Sequence, residues 1–287
     1  MAALPDGRAI VATGYFAESP MSGYVEAIEL YEPASDTWAR LFELEDKVSP
    51  VVLVPLLDGS VLATYSRLNG PPAPPELVDP TTGVRRPLDP GNVGTSVAVR
   101  LGDGRVLFAG AGQVTAFDPS DQSWVTEGAS TELRAEAGAP FDDGAVVVGD
   151  TGVFTVSSEL ETRKASKPPD PSSPFLLYAD VASVDARVAV VDNEGWIGIG
   201  DPRNLSWSRL WTGATREAEP PLVLPLCESV LVLAEHNLRV PLDAPGDAEE
   251  LAVPWSLGEV GPRGLEGTRL ADGSLLILQG SRTFIYR

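Results

Sequence analysis

Apolar residues in this chain come in short runs, each closed by a polar turn. VVLV at 51–54 runs into Leu57-Asp58-Gly59, and VLFAG at 106–110 follows Leu101-Gly102-Asp103-Gly104. No window sustains the 3.6-residue period of an amphipathic helix, so the pattern predicts strands. The Asp-Gly mark recurs at Asp6-Gly7, Asp58-Gly59, Asp103-Gly104, Asp143-Gly144 and Asp272-Gly273, each with Leu or Phe two positions before the Asp. Two degenerate copies fill the gap: Asp185-Ala186 ahead of VAVV, and Cys227-Glu228 ahead of VLVL. The seven marks at 6, 58, 103, 143, 185, 228 and 272 stand 40 to 52 residues apart, the signature of a repeat architecture. Asp-Gly between apolar runs reads as a hairpin turn in which both positions tolerate positive φ.

Each repeat carries a second turn. Tyr31-Glu32-Pro33 leads to Trp38 and Phe117-Asp118-Pro119 to Trp124; Asp79-Pro80 and Asp201-Pro202 are weaker copies. Proline fixes φ and removes a donor, which ends a strand. Two turns per repeat give four short antiparallel strands, a to d. One such sheet cannot bury both faces, so the units must stack around an axis.

The combination of L-x-D-G, an apolar strand ending in small residues, Tyr-Asp-Pro-like turns and Ser/Thr-Trp resembles the kelch repeat of β-propellers. Ala12-Thr13-Gly14-Tyr15 and Ala109-Gly110-Ala111-Gly112 stand where that repeat carries its double glycine. The resemblance covers the whole chain, strongest in repeats one and three and weakest in four to six. It implies an all-β propeller of four-stranded antiparallel blades spanning 1–287 as one domain. Seven b and seven c strands predict seven blades, with six the second choice. Only six d strands are legible, so the last blade is expected to have three strands unless the chain is trimmed. Strand a of the first blade is expected to be a stub within residues 1–4.

Charge narrows the partners. With 21 Lys plus Arg against 41 Asp plus Glu, the formal net charge is −20. Such a surface repels phosphate backbones and anionic lipid, which argues against nucleic acid and membrane and makes a basic protein the electrostatically sensible partner. No stretch reaches the apolar length needed to span a bilayer, and residues 1–7 lack a signal peptide's basic and apolar regions. The chain reads as cytoplasmic, or as an exported protein whose signal has been removed. A single Cys, Cys227, excludes an internal disulfide framework; in its apolar segment it reads as a small buried residue.

In a meander, a–b and c–d turns share one end of the ring, and b–c and d–a loops share the other. The variable, longer loops are b–c and d–a, so the binding face is placed there. Tyr15, Phe16, Tyr24, Tyr65 and Arg67 are its candidate residues, aromatic and arginine groups of the kind that anchor interfaces. Arg134, Arg216 and Arg263 stand near the starts of a strands, Arg134 and Arg263 each nine residues before their Asp. They could converge on the channel to hold a carboxylate or sugar, or pair with neighbouring Glu residues such as Glu132, Glu136, Glu217 and Glu266. His236 follows Glu235 in a tight b–c loop and could act as a base or sit in solvent. One His does not supply the two that the copper centre of galactose-oxidase-like members requires. No metal-ligand spacing, phosphate loop or dinucleotide fingerprint occurs, so no cofactor or metal is expected. The reading is a non-enzymatic propeller that binds a protein partner through the loops of one face. A small-ligand or sugar-isomerase site in the channel is the alternative.

Overall fold

A computed structural model describes all residues except 16–23, 68–72, 90–96, 111, 129–132, 150, 166–177, 193–194, 204–205, 212–220, 235–236, 252–264, 280–281 and 287. The described residues form 26 strands and one 3-10 turn, Pro245–Asp247. Blade 1 comprises β1 (Ala2–Ala3), β2 (Ala9–Tyr15), β3 (Tyr24–Glu32) and the first half of β4 (Thr37–Pro55). The second half of β4 starts blade 2, followed by β5 (Val61–Arg67), β6 (Glu76–Val78) and β7 (Arg85–Pro87). Blade 3 holds β8 (Val97–Arg100), β9 (Val106–Gly110), β10 (Gln113–Asp118) and β11 (Ser123–Gly128). Blade 4 holds β12 (Ala137–Phe141), β13 (Gly144–Gly149), β14 (Gly152–Val156) and β15 (Thr162–Lys164). Blade 5 holds β16 (Tyr178–Val184), β17 (Arg187–Asp192), β18 (Trp196–Asp201) and β19 (Ser206–Trp211). Blade 6 holds β20 (Leu222–Pro225), β21 (Ser229–Leu233), β22 (Leu238–Pro241) and β23 (Glu249–Glu250). Blade 7 has β24 (Leu265–Arg269), β25 (Leu275–Gln279) and β26 (Arg282–Tyr286), three strands among the described residues. All pairings are antiparallel, and the architecture is an all-β, seven-bladed propeller.

The inner strands β1, β4, β8, β12, β16, β20 and β24 each touch the next, and β24 touches β1, which closes the ring. The terminal amine of Met1 bridges Glu266 at 3.0 Å across that closure. Among the described residues there is no single central core. Alternation turns each strand's apolar residues towards both neighbouring blades, and seven separate apolar seams result. The largest joins blades 3 and 4 through Leu107, Val114, Leu133, Val147 and Phe154 among others. The smallest joins blades 7 and 1, where Ala9 and Tyr31 meet Leu270 and Leu276.

Turn chemistry departs from the sequence expectation. In blades 1, 2, 3 and 7 the a–b turn has three residues. Gly7, Gly59, Gly104 and Gly273 take φ of +92, +87, +94 and +87, while the Asp before each does not enter that region. The glycine N–H donates to the Leu carbonyl three residues back, at 3.0 to 3.2 Å. Each Asp Oδ1 accepts the N–H two residues on: Arg8 at 3.1 Å, Ser60 at 2.9 Å, Arg105 at 3.0 Å and Ser274 at 2.9 Å. This is a type I turn closed by a left-handed glycine, pinned by an Asx bond. Blade 4 spells Asp143-Gly144, yet its turn is Asp142-Asp143, because Phe141 pairs directly with Gly144. Here Asp142 carries the positive φ of 51°, as Asp185 does in blade 5.

Candidate binding face

The two ends of the ring are built differently. At the turn end, many carboxylates are held within their own turns, and some reach across blades, as Asp142 does to Arg203. Asp79 Oδ1 accepts the N–H groups of Thr81 at 2.7 Å and Thr82 at 3.2 Å. Asp118 Oδ1 accepts from Ser120, and Asp201 Oδ1 from Arg203, both backbone bonds at 2.9 Å. Left-handed residues Asp36, Gly83, Gln122 and Leu160 complete the c–d turns of blades 1 to 4. The Arg8 side chain holds the Asp6 carboxyl below its ordinary range, and Arg203 does the same to Asp201. A cleft of about 380 Å³ between blades 1 and 2 is lined by Asp6, Arg8, Asp58 and Asp79. These groups already bond within their own turns.

At the opposite end the d–a connections beyond β7 are long, 251–264 between β23 and β24 among them, while the b–c connections run from 16–23 in blade 1 down to two residues in blades 3, 4 and 7. Tyr15 and Tyr24 face each other as the last pair of β2 and β3, so they bracket the b–c connection of blade 1. Arg67 ends β5, opposite Val48. Phe16, Arg216, Arg263 and His236 lie outside the described residues.

Tyr65 corrects an expectation. It belongs to β5 rather than to a loop, pairs with Val51 and is only 7% exposed. Its hydroxyl accepts a 2.7 Å bond from Arg85 Nη2, and burial pushes the phenol up to about 12. Arg85 also grips Glu76 through Nε at 2.8 Å and lies 4.7 Å from the Phe42 ring centre. This clamp ties the outer strand of blade 1 to blade 2. Alternation of Val61, Ala63 and Tyr65 on one apolar face carried the signal for this burial.

Arg134 is exposed and is not free of interactions. Its segment is braced from both sides: the Gly112 N–H donates to the Leu133 carbonyl at 2.9 Å, and the Glu136 N–H to Val148 at 2.8 Å. Cys227 corrects a second expectation. It is exposed, because the a–b turn of blade 6 projects it from the apolar segment, and its Sγ accepts from Arg269 at 3.4 Å.

Two features escaped the sequence reading. Asp180, in the inner strand of blade 5, accepts the N–H of Val181 at 2.9 Å and that of Val223 in blade 6 at 2.7 Å. Its surroundings are dense although a partial opening remains, and burial lifts its carboxyl to about 6, against the pull of the two N–H donors. An acid interrupting the run Leu177-Tyr178-Ala179-Asp180-Val181 was its only mark. The second is a cleft of about 520 Å³ on blade 1, lined by Thr13, Glu26, Ala27, Glu29, Arg40 and Glu43. Arg40 bonds Glu43 at 2.9 Å and Glu29 at 3.4 Å there. Among the described residues no three His, Cys, Asp or Glu side chains converge as a metal site, and no helix is long and apolar enough to cross a membrane.

No protein-family model matches the chain, and neither does any curated protein. Solved structures do resemble it. A WD40-type propeller in the crystal structure of a mitotic checkpoint complex superposes with a TM-score of 0.71 at 11% identity, covering 100% of this chain and 88% of that one. At that identity the likeness is one of fold.

Proposed function

We propose that the protein is a kelch-like, non-enzymatic propeller that binds a protein partner through the b–c and d–a connections of one end. The observation that carries this reading is the asymmetry of the two ends. Tight turns with locally bonded carboxylates occupy one, and the connections bracketed by Tyr15, Tyr24 and Arg67 occupy the other. A rigid ring presenting long connections is the usual arrangement for recognition. The structural neighbour's place in a protein complex is consistent with this role. The charge of −20 favours a basic partner.

The test is capture from native lysate by the wild type and by a Tyr15→Ala, Tyr24→Ala, Arg67→Ala variant, with Tyr65 left intact because it supports the blade. A protein retained by the wild type, lost by the variant and released as salt rises supports the reading. Equal capture by both would move the interface elsewhere.

A further inference from the structure

The residue that closes each a–b turn pairs back with the end of strand a. In blades 1, 3 and 5 it is an arginine: Arg8 opposite Leu4, Arg105 opposite Leu101 and Arg187 opposite Val184. In blade 3, Arg105 keeps Nε on Asp103 at 2.7 Å and sends Nη2 across to blade 4, where the Ser158 carbonyl accepts at 2.9 Å. In blade 5, Arg187 reaches blade 6, with Nη1 at 3.4 Å from the Leu242 carbonyl and Nη2 at 3.2 Å from Asp243. Register gives both carbonyls one position. Val156 pairs with Ala145, Val240 with Val230 and Val78 with Val61, so Ser158, Leu242 and Pro80 each stand two residues beyond matching strand positions.

Blades 1 and 2 break this pattern. Arg8 keeps both Nε and Nη2 on Asp6, at 2.8 and 2.6 Å, and among the described residues it donates nothing to blade 2. The cleft of about 380 Å³ lies between them. On its blade 2 side the Pro80 carbonyl accepts no bond among the described residues. Asp58 and Asp79 spend only Oδ1 on their own turns. The Thr81 N–H, chiefly, holds the Asp79 carboxyl below its ordinary range. In blade 4 the a–b carboxylate is engaged instead: Ser158 Oγ donates to Asp143 Oδ2 at 2.9 Å, a bond that Pro80 cannot supply. Leu4, Pro5 and Pro80 give the cleft apolar walls. Beside Asp58 stands Leu57, 67% exposed, the most exposed large apolar residue among those described.

We propose that this cleft seats an arginine side chain of a partner protein, whose guanidinium takes the blade 2 acceptors that Arg8 does not reach: the Pro80 carbonyl and Oδ2 of Asp58 and of Asp79. Asp6 and Arg8 neutralise each other, so the cleft carries the negative charges of Asp58 and Asp79. A planar fork of donors suits acceptors grouped around one point, and the apolar walls take the methylene stem. Leu57 offers an apolar contact to the residue next to that arginine, which selects a protein over a free cation. The surface lies at the end opposite the loop face and does not depend on that reading.

The probe is N-acetyl-arginine amide, followed by the amide shifts of the intact, nitrogen-labelled protein. Saturable shifts should centre on Gly59, Ser60 and Thr81, with N-acetyl-lysine amide and the uncharged N-acetyl-norleucine amide each at least about fivefold weaker. Asp58→Asn combined with Asp79→Asn should weaken binding at least about tenfold, and asparagine keeps the Oδ1 acceptor that each turn uses. Asp118→Asn, at the position in blade 3 that matches Asp79, should leave binding unchanged. Acetyl-Leu-Arg-Leu amide should bind at least about threefold more tightly than the single residue, a gain lost in Leu57→Ser. Shifts spread equally over the Asp118 and Asp201 turns, or a double variant that binds as the wild type does, would overturn the proposal. So would a lysine or norleucine amide equal to the arginine amide, or a tripeptide with no gain over the single residue.

Discussion

Gly149→Ala tests how the Arg134 segment is held. Gly149 ends the second strand of blade 4 with ordinary φ, so an alanine there meets no dihedral penalty. Its methyl would overlap the Arg134 carbonyl oxygen and stand 2.7 Å from that carbonyl carbon. Reaching a contact of 3.4 Å moves one backbone away from another, and further still at the oxygen. Two hydrogen bonds lie in the path, Gly112 N–H to Leu133 and Glu136 N–H to Val148. Each contributes about 1 kcal/mol. Leu133, fully buried, and Ala135, 4% exposed, are drawn out of the largest seam with them. A partial loss of leucine burial adds about 1 to 2 kcal/mol. The expected cost is about 3 to 4 kcal/mol. Gly59→Ala is the matched control: nothing lies within 4 Å of its methyl, and φ of +87° is its only penalty, about 1 kcal/mol. Urea midpoints compare the two variants, and hydrogen exchange localises the effect. Protection of the Gly112 and Glu136 amides should fall by about 100-fold or more in Gly149→Ala and stay unchanged in Gly59→Ala. Equal midpoints with unchanged protection would refute the claim that this glycine exists to let the Arg134 backbone pass.

Two further outcomes follow from the same geometry. Leu276→Ala empties a fully buried site in the smallest seam and should cost about 2 to 5 kcal/mol, with amides of blade 7 exchanging faster while those of blades 3 to 5 do not. Asp180 should make stability fall with rising pH. Unfolded it ionises near 3.8, while folded it keeps its proton to about 6, so between those values the folded state binds more protons. Subtracting an Asp180→Asn titration isolates a loss on the order of 2 to 3 kcal/mol from pH 4 to 6. A flat difference curve, or one of opposite sign, would remove the burial argument.

The propeller was legible because its turns are spelled with few alternatives. Leu-x-Asp-Gly recurs wherever a left-handed glycine closes an a–b turn, and Asp-Pro wherever an Asx bond opens a c–d turn. The same spelling misled in blade 4. Gly144 is not the turn residue; it is a glycine because a methyl would overlap the Val156 carbonyl across the sheet. That need arises from the paired strand β14, where Val156 stands twelve residues on, and the Asp-Gly spelling does not record it. Side-chain burial was harder to read than backbone path. Tyr65 looked like a loop aromatic because Ser66 and Arg67 follow it, but Arg85 and Glu76 from later strands draw its phenol inwards. Cys227 looked buried because apolar neighbours flank it, and the turn exposes it. Asp180 is set by Val223, 43 residues on, and only the ring brings them together.

Cohesion spread over seven seams bears on the order in which the chain assembles. Six seams join blades that follow one another in the chain, so each can form as soon as its two hairpin pairs exist. The seventh brings Met1 to Glu266, a separation of 265 residues, for the smallest cluster of the set. Closing so long a loop is entropically costly until the intervening blades have curved the ends towards each other. Assembly should therefore run as a growing arc that becomes a ring in its last step. An open arc, with its first and last blades apart, is then the species through which the molecule both matures and comes undone.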